Sequence, residues 1–455
     1  MNRLSFLRGP TPLIGAGLAL VVLSGVSFLG LVTRAGVDAP GVAALASLYF
    51  LVNTVALGVF SGVEQEMSRA VSQERALGLP VGPVFHVMAR QAARLLVPSS
   101  VLLLALSPVL VTGPLRGHWE LVAELLVGLF AACCASVVRG ALAGSQRFGF
   151  YSATLATEGL SRLILSVALW LVGVHSVWAF GLAFVLGQFF AASLGAGLLW
   201  ITGGRDRRHL APAAVPPKIA GAGTIRFGVS TALVLVVVAN LTSQAIVNLP
   251  PVVIGAKLGA LPIVATAIAA AVTLTRLPMF AFVPLQTMLL PRLTSDAARG
   301  DLLGVRKQTA RTVAVCVVLG LLGILVLAVI GPQVLAIYLN TPAVLSGATM
   351  AGLGVGTLFL MTTNVTQPAL LALGRHRAVL ISYLTGAAAM IVVFVLPIEP
   401  VASAVLATSA GPVAVALVMG VVLLRATRGA AAPAEDTTDE PANRDENVPI
   451  SGGRD

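Results

Sequence analysis

Residues 312–374 read TVAVCVVLGLLGILVLAVIGPQVLAIYLNTPAVLSGATMAGLGVGTLFLMTTNVTQPALLALG, an unbroken run without Asp, Glu, Lys or Arg. A helix crossing a bilayer needs about 20 apolar residues. The run is long enough for two crossings. Gly331-Pro332 and Asn340-Thr341-Pro342 are the punctuation expected to divide it. Charge-free runs also cover 9–33, 39–63, 95–115, 163–204, 227–256, 378–398 and 400–424. The 163–204 run is again double length, with His175 as its divider. Two further apolar stretches, 121–143 and 262–290, carry charges, and one span starts near Tyr151. The count is twelve.

The composition agrees. Of 455 residues, 57% are hydrophobic and only 10% charged, against roughly 25% charged in soluble domains. An ordinary soluble enzyme and a largely disordered chain are both excluded. A membrane β-barrel is excluded too, because its strands alternate apolar and polar residues over about 10 positions. The fold class is therefore an all-α polytopic membrane protein. Cys133, Cys134 and Cys316 lie inside apolar runs without metal or disulfide spacing, and read as small packing residues.

The net charge of +11 suggests nucleic acid in a soluble domain, but here the basic residues sit between spans and report orientation. With the N-terminus cytoplasmic, 23 of the 29 Lys and Arg fall inside. Only Arg34, Arg116 and Lys257 fall outside, and Arg139, Arg162 and Arg276 lie within spans. Both termini are then cytoplasmic. The first apolar run is too long for the core of a cleavable signal and reads as the first span.

The chain divides into two six-helix bundles, 1–202 and 225–424. Residues 203–224 (GGRDRRHLAPAAVPPKIAGAGT) form a basic, Pro- and Gly-rich cytoplasmic linker. Residues 425–455, with seven acids and four Arg, form an acidic tail without the apolar content to fold. The halves also echo each other. Arg69-Ala-Val-Ser72 recurs as Arg292-Leu-Thr-Ser295, and Gly144-Ser-Gln-Arg147 as Gly374-Arg-His-Arg377, at similar offsets and at cytoplasmic helix ends. A repeat with an even number of spans is a parallel repeat, with a pseudo-two-fold along the membrane normal and the substrate path at its interface.

A charge at a helix centre costs about 2.5–3.5 kcal/mol on insertion scales, so each one marks a candidate site. Arg276 lies in helix 8 ahead of Pro278 and Pro284, which should kink it. The repeat offset maps Arg276 onto Asn53, the mid-span amide of helix 2, so the two are expected to line one cavity. Glu158 and Arg162, at i and i+4 on helix 5, can pair. A short turn at 144–149 brings Arg139 beside them. This Arg–Glu–Arg cluster is either structural or a cation surplus able to hold an anion. Glu158 is also a candidate proton carrier. Asn240, Gln244 and Asn248 form one stripe on helix 7, and Thr362, Thr363, Asn364, Thr366 and Gln367 crowd helix 10. These stripes are either interhelical glue or the lining of a wet path. Glu124, near the outer end of helix 4, is expected to face the outer interface.

The absences also restrict function. There is no P-loop, no HExxH and no GxSxG. No cofactor, metal site or catalytic residue is expected. The outer loops are short, which weighs against a membrane polymerase or glycosyltransferase.

Several stretches resemble the polysaccharide (Wzx-type) flippase branch of the multidrug/oligosaccharidyl-lipid/polysaccharide (MOP) exporter superfamily. The segment Val283-Pro-Leu-Gln-Thr-Met-Leu-Leu-Pro291-Arg-Leu-Thr-Ser-Asp-Ala-Ala-Arg-Gly-Asp301 is similar to that family's helix 8 end and the cytoplasmic segment after it. Gly62-Val-Glu-Gln-Glu-Met-Ser-Arg69 resembles the matching place in the first half. Val138-Arg139-Gly140-Ala-Leu-Ala-Gly144 and Glu158-Gly-Leu-Ser-Arg162-Leu resemble its helix 4 and helix 5 patterns. The resemblance spans roughly residues 10–425. It implies a V-shaped, MATE/MOP-like pair of bundles in the plasma (inner) membrane. The implied activity is flipping a polyprenyl-diphosphate-linked oligosaccharide to the outer leaflet by alternating access, for cell-surface polysaccharide synthesis. Arg276, Arg162 and Arg139 are then the cavity cations for the diphosphate. The implied partners are the lipid-linked glycan, membrane lipids, and a glycan polymerase or glycosyltransferases; no nucleic acid is expected. The two extra helices of the peptidoglycan-precursor branch are not seen. The alternative within the superfamily is a cation-coupled multidrug exporter, in which Glu158 replaces the coupling carboxylate that helix 1 lacks. A scaffold acting through the acidic tail is a further alternative.

Overall fold

The computed structural model describes residues 10–206, 231–279, 301–342 and 344–427. They form α1 (Pro10–Arg34), α2 (Ala39–Ala76), α3 (Gly82–Thr112), α4 (Glu120–Gly144), α5 (Phe148–Val172), α6 (Val177–Asp206), α7 (Thr231–Lys257), α8 (Pro262–Thr275), α9 (Leu302–Leu339), α10 (Gly347–Ala372), α11 (His376–Val395) and α12 (Pro400–Thr427). All twelve lie in segments long and apolar enough to cross a membrane, and no strand occurs among the described residues. The end of the bundle where α1 passes into α2 is the distal end, and the opposite end is proximal.

Two helix boundaries differ from those the sequence suggests. Gly331-Pro332 does not end a span: α9 runs through it and stops at Asn340, whose left-handed φ of 51° turns the chain. Pro332 withholds a donor from the carbonyl of Ala328. Gly347, at the start of α10, packs directly against that oxygen. The helix survives because its neighbour covers the defect. At its other end α9 is capped by Asp301, which accepts from Gly304 N at 2.6 Å. The second difference is in α3, which starts at Gly82, well before its apolar run, and continues through Pro98 and Pro108.

α6 continues to Asp206, four residues into the expected linker, and α12 reaches Thr427. The remainder of the linker, the acidic tail, Pro284 and the Arg292–Ser295 repeat lie outside the described residues.

Helix pairing repeats on advancing six helices. α1 packs on α5 as α7 packs on α11, and α2 on α4 as α8 on α10. The pairs α3–α4, α4–α6 and α5–α6 recur as α9–α10, α10–α12 and α11–α12. This is the parallel two-bundle arrangement that an even repeat requires. α2, α4, α8 and α10 occupy the interior, while α3 and α9 present exposed Leu and Val side chains such as Val101, Leu102, Val318 and Leu325. Lipid is as apolar as Leu, so these faces have no drive to be buried, and packing decides which helices meet. Small residues permit the closest approaches. A Cβ on Gly140 would sit 2.6 Å from the Glu64 carbonyl oxygen, and one on Gly144 2.5 Å from that of Ser68. The Gly-x-x-x-Gly face of α4 thus lies against the backbone of α2.

The halves meet chiefly along α2 and α7, where Gly58 packs on Leu241. At the distal end Arg34 reaches the carbonyls of Ile337 and Tyr338, at 2.7 and 2.9 Å. Arg116 reaches those of Gly259 and Gly255, at 2.7 and 3.0 Å.

Candidate substrate cavity

A cavity of about 290 Å³ lies between the halves, lined from the middle portions of their helices. Seven helices besides α5 line it, and α5 contributes one side chain, Arg162. Asn53, Gln244, Asn248 and Arg276 also face it, joined by Tyr49, Tyr383 and Asn364. A water molecule's share of liquid volume is about 30 Å³, so the space matches a small polar head group and not an extended chain.

Arg276 is placed by a break in α8. Regular helix ends at Thr275, and the backbone turns at Arg276, two residues before Pro278. The turn directs the guanidinium at α7, where Nη1 donates to Asn248 Oδ1 at 2.9 Å and Nη2 donates to the Val247 carbonyl. Asn248 Nδ2 donates in turn to Gln244 Oε1 at 3.0 Å. The Phe50 ring lies 5.4 Å from the guanidinium carbon, which is cation–π range. Among the described residues no carboxylate pairs with Arg276, although it is only 9% exposed. Among the described residues, this buried positive charge is held by neutral groups. At an effective permittivity of about 20, an anion about 4 Å away gains roughly 4 kcal/mol from such a charge.

Arg162 is held differently. Its Nη2 lies 2.7 Å from Glu158 Oε1, and its Nε donates to the Phe184 carbonyl at 2.9 Å. Its guanidinium stacks 4.3 Å above the Phe184 ring. Glu158 Oε2 accepts from Arg139 Nη2 at 2.6 Å, and Arg139 Nε donates to Thr154 Oγ1 at 3.1 Å. One carboxylate therefore holds two guanidinium groups in the interior of the first half.

The sequence reading missed a fourth member of this cluster. Glu64 Oε1 accepts from Tyr151 Oη at 2.8 Å, and its charge is close enough to attract Arg139. Two glutamates thus stand among two arginines, and the cluster carries a surplus positive charge only while Glu64 is protonated. Arg139 and Glu158 lie outside the lining of the cavity, and Arg162 alone of the cluster reaches it.

The helix 7 stripe also divides. Gln244 and Asn248 face the cavity, whereas Asn240 donates to Ser61 Oγ on α2 at 3.0 Å, between the halves. Asn53 Nδ2 bonds its own helix at the Tyr49 carbonyl, 2.7 Å away, and leaves its oxygen for the cavity side. In α10, Thr363 and Asn364 face the cavity, while Gln367 Oε1 accepts from Tyr383 Oη at 2.8 Å. The hydroxyls of Thr362 and Thr366 return to carbonyls of their own helix. No group of His, Cys, Asp and Glu among the described residues can hold a metal ion.

The fold has known counterparts. The inward-facing conformation of a multidrug resistance MATE family transporter of the MOP superfamily superposes with a TM-score of 0.68 at 11% identity, covering 92% of this chain and 100% of that one. The outward-facing conformation of such a transporter gives 0.54 at 15% identity, over 94% and 98%. The MATE multidrug transporter DinF-BH gives 0.61 at 16% identity, over 92% and 95%. In sequence, the chain is 27% identical to the uncharacterized protein Rv1510 of Mycobacterium tuberculosis over 425 residues, 89% of each chain. It is 25% identical to the uncharacterized protein Rv3630 of the same organism over 315 residues, 65% of each. No family model matches the chain. Twelve membrane-length apolar helices in the MATE fold describe a multi-pass membrane protein.

Proposed function

We propose that this protein flips a lipid-linked oligosaccharide of the polyprenyl-diphosphate type from the inner to the outer leaflet of the plasma membrane, by alternating access, for cell-surface polysaccharide synthesis. The observation that carries the reading is Arg276: a buried guanidinium with only neutral partners among the described residues, facing a polar cavity between two halves. A diphosphate supplies the missing negative charge. The amides of Asn53, Gln244 and Asn248 suit sugar hydroxyls, and the volume suits the diphosphate with its nearest sugar while the lipid tail stays in the bilayer. The termini are cytoplasmic in this reading, from the distribution of basic residues. The distal end is then the outer face. Closure of the halves there, together with the better match to the inward-facing MATE transporter than to the outward-facing one, supports a cavity poised for the cytoplasmic side.

The test is a depletion strain in which lipid-linked precursors are weighed by mass spectrometry and their sidedness is assayed with an impermeant label. Depletion is expected to trap intact precursor on the inner leaflet, and Arg276→Ala at normal protein level to reproduce the block. A normal distribution of precursor sinks the proposal.

A second reading, multidrug export, draws on the fold: the superposed structures are described as multidrug transporters. It predicts drug efflux that Glu158→Gln abolishes and Arg276→Ala spares. Two arginines on the cavity wall disfavour cationic compounds as its cargo.

A further inference from the structure

One buried acid takes no part in the cavity. Glu124 lies one turn into α4 from the distal end and is 6% exposed. Its Oε2 has no hydrogen-bond partner, and it presses on α6 so closely that a Cβ at Gly181 would overlap it. A carboxylate in such a site lacks both water and a cation, and the inexpensive way to keep it there is to add a proton. Expected from sequence to face the outer interface, Glu124 is in fact turned inward against α6.

Its surroundings make a route to water on one side. Glu120 lies one turn earlier, and its charge acts on Glu124. Glu120 Oε1 is 2.7 Å from His118 Nδ1, and both side chains are partly exposed at the distal surface. Other titratable groups at this end lie on the elements around α4. Asp38 and Tyr49 belong to the α2 side, His175 precedes α6, and Arg116 precedes α4. His175 is engaged with the Ala35 carbonyl, and Arg116 with the carbonyls at the end of α7. The distal halves of α3 and α6 carry no titratable side chain, and that of α5 carries Arg162 alone.

α6 supplies a route to the cavity on the other side. Gly181, Phe184 and Gln188 are spaced three and four apart, so they share one face. Gly181 meets Glu124, Phe184 holds Arg162 through its carbonyl and ring, and Gln188 donates to Glu158. A carboxyl that gains or loses charge against Gly181 thus acts on the helix that positions a cavity arginine one turn away.

We propose that Glu124 is a proton-binding site of the transport cycle, exchanging with the distal aqueous face through Glu120 and His118 and coupled through α6 to Arg162. This rests on the transporter reading above, but on no particular substrate. The proton comes from bulk water and leaves a neutral carboxylic acid at Glu124.

The experiment uses the full chain in liposomes. Infrared spectra across a pH titration are expected to show a carboxylic-acid C=O band that is absent in Glu124→Gln and restored in Glu124→Asp. An identical band in wild type and Glu124→Gln overturns the site. Coupling is read with a single cysteine, Leu57→Cys, in the cavity wall of a protein whose three native cysteines are replaced. Because the thiolate is the reacting form, maleimide labelling speeds up with pH in any variant, so the readout is the labelling rate divided by that of the same cysteine in the Glu124→Gln protein at each pH. That ratio is expected to change across the titration by about fivefold, the lower end of common coupling energies. A ratio that stays constant across pH overturns the coupling. Neither readout needs cargo, so both can succeed while glycan flipping fails, which separates this proposal from the choice of substrate.

Discussion

At Glu158 a single side chain satisfies two guanidinium groups, while Arg276 has no partner of opposite charge among the described residues. The two positions should therefore respond to mutation in opposite ways. Glu158→Gln leaves Arg139 and Arg162 as neighbouring buried cations, and breaking a buried pair on one side costs about 3–5 kcal/mol. Thermal unfolding in detergent should show a large loss of stability, partly recovered when Arg139→Gln is added. Arg276→Gln strands only the Asn248 and Val247 oxygens, at about 1–3 kcal/mol. It should leave a folded protein with precursor trapped on the inner leaflet. Equal destabilisation by the two variants contradicts this division. The cluster was legible in sequence because i, i+4 spacing and a short turn are local facts. Arg276 and Asn53 were legible through the repeat. Glu64 was not: it stands two residues before Glu66, which pairs with Arg69 at the surface, and nothing in the spacing separates the half-buried acid from the solvated one. Phe184 and Gln188 were hidden for a similar reason, since only the docking of α6 brings them to Arg162 and Glu158.

Among the elements, α4 shows how little tolerance the interior has. Its Gly140–Gly144 face lies on the α2 backbone, so Gly140→Leu must push two interior helices apart. Overpacking of this kind costs about 1–3 kcal/mol, and here it also strains the turn carrying Glu64. Gly149, in the first turn of α5, has nothing within 4 Å of an added Cβ, and Gly149→Ala should be neutral or raise stability by up to about 1 kcal/mol. Melting temperatures of the two variants check the contrast. Span number was legible because hydropathy over about 20 residues is a strong signal. Where a span ends was less so. Gly331-Pro332 carries the local chemistry of a break, yet α9 passes through because Gly347 covers the orphaned carbonyl. That compensation comes from the next helix, and no window on α9 contains it.

For the whole molecule, the three basic residues Arg34, Arg116 and Lys257, set apart at the distal end, have a shared task. Arg34, Arg116 and Lys257 each donate to carbonyls at the C-terminal end of a helix, where four acceptors lack intrahelical partners and the dipole is negative. Lys257 bonds Phe394 within the second half, but Arg34 and Arg116 reach across, one to the end of α9 and the other to the end of α7. They are the distal straps of this conformation. Hydrogen bonds from charged groups to carbonyls contribute about 1.5–3 kcal/mol at most, and exposure at these sites brings each strap nearer 1 kcal/mol. Removing both with Arg34→Ala and Arg116→Ala should therefore shift the balance between distally closed and distally open forms by about 2 kcal/mol, or roughly 30-fold. Spin-label distances between the distal ends of α1 and α9 should lengthen in the double variant, while the proximal ends draw together. Lys257→Ala, which cuts no tie between the halves, should leave both distances unchanged. If the double variant keeps the wild-type distances, closure at this end is held by the α2–α7 packing, and the two arginines are caps without a gating role.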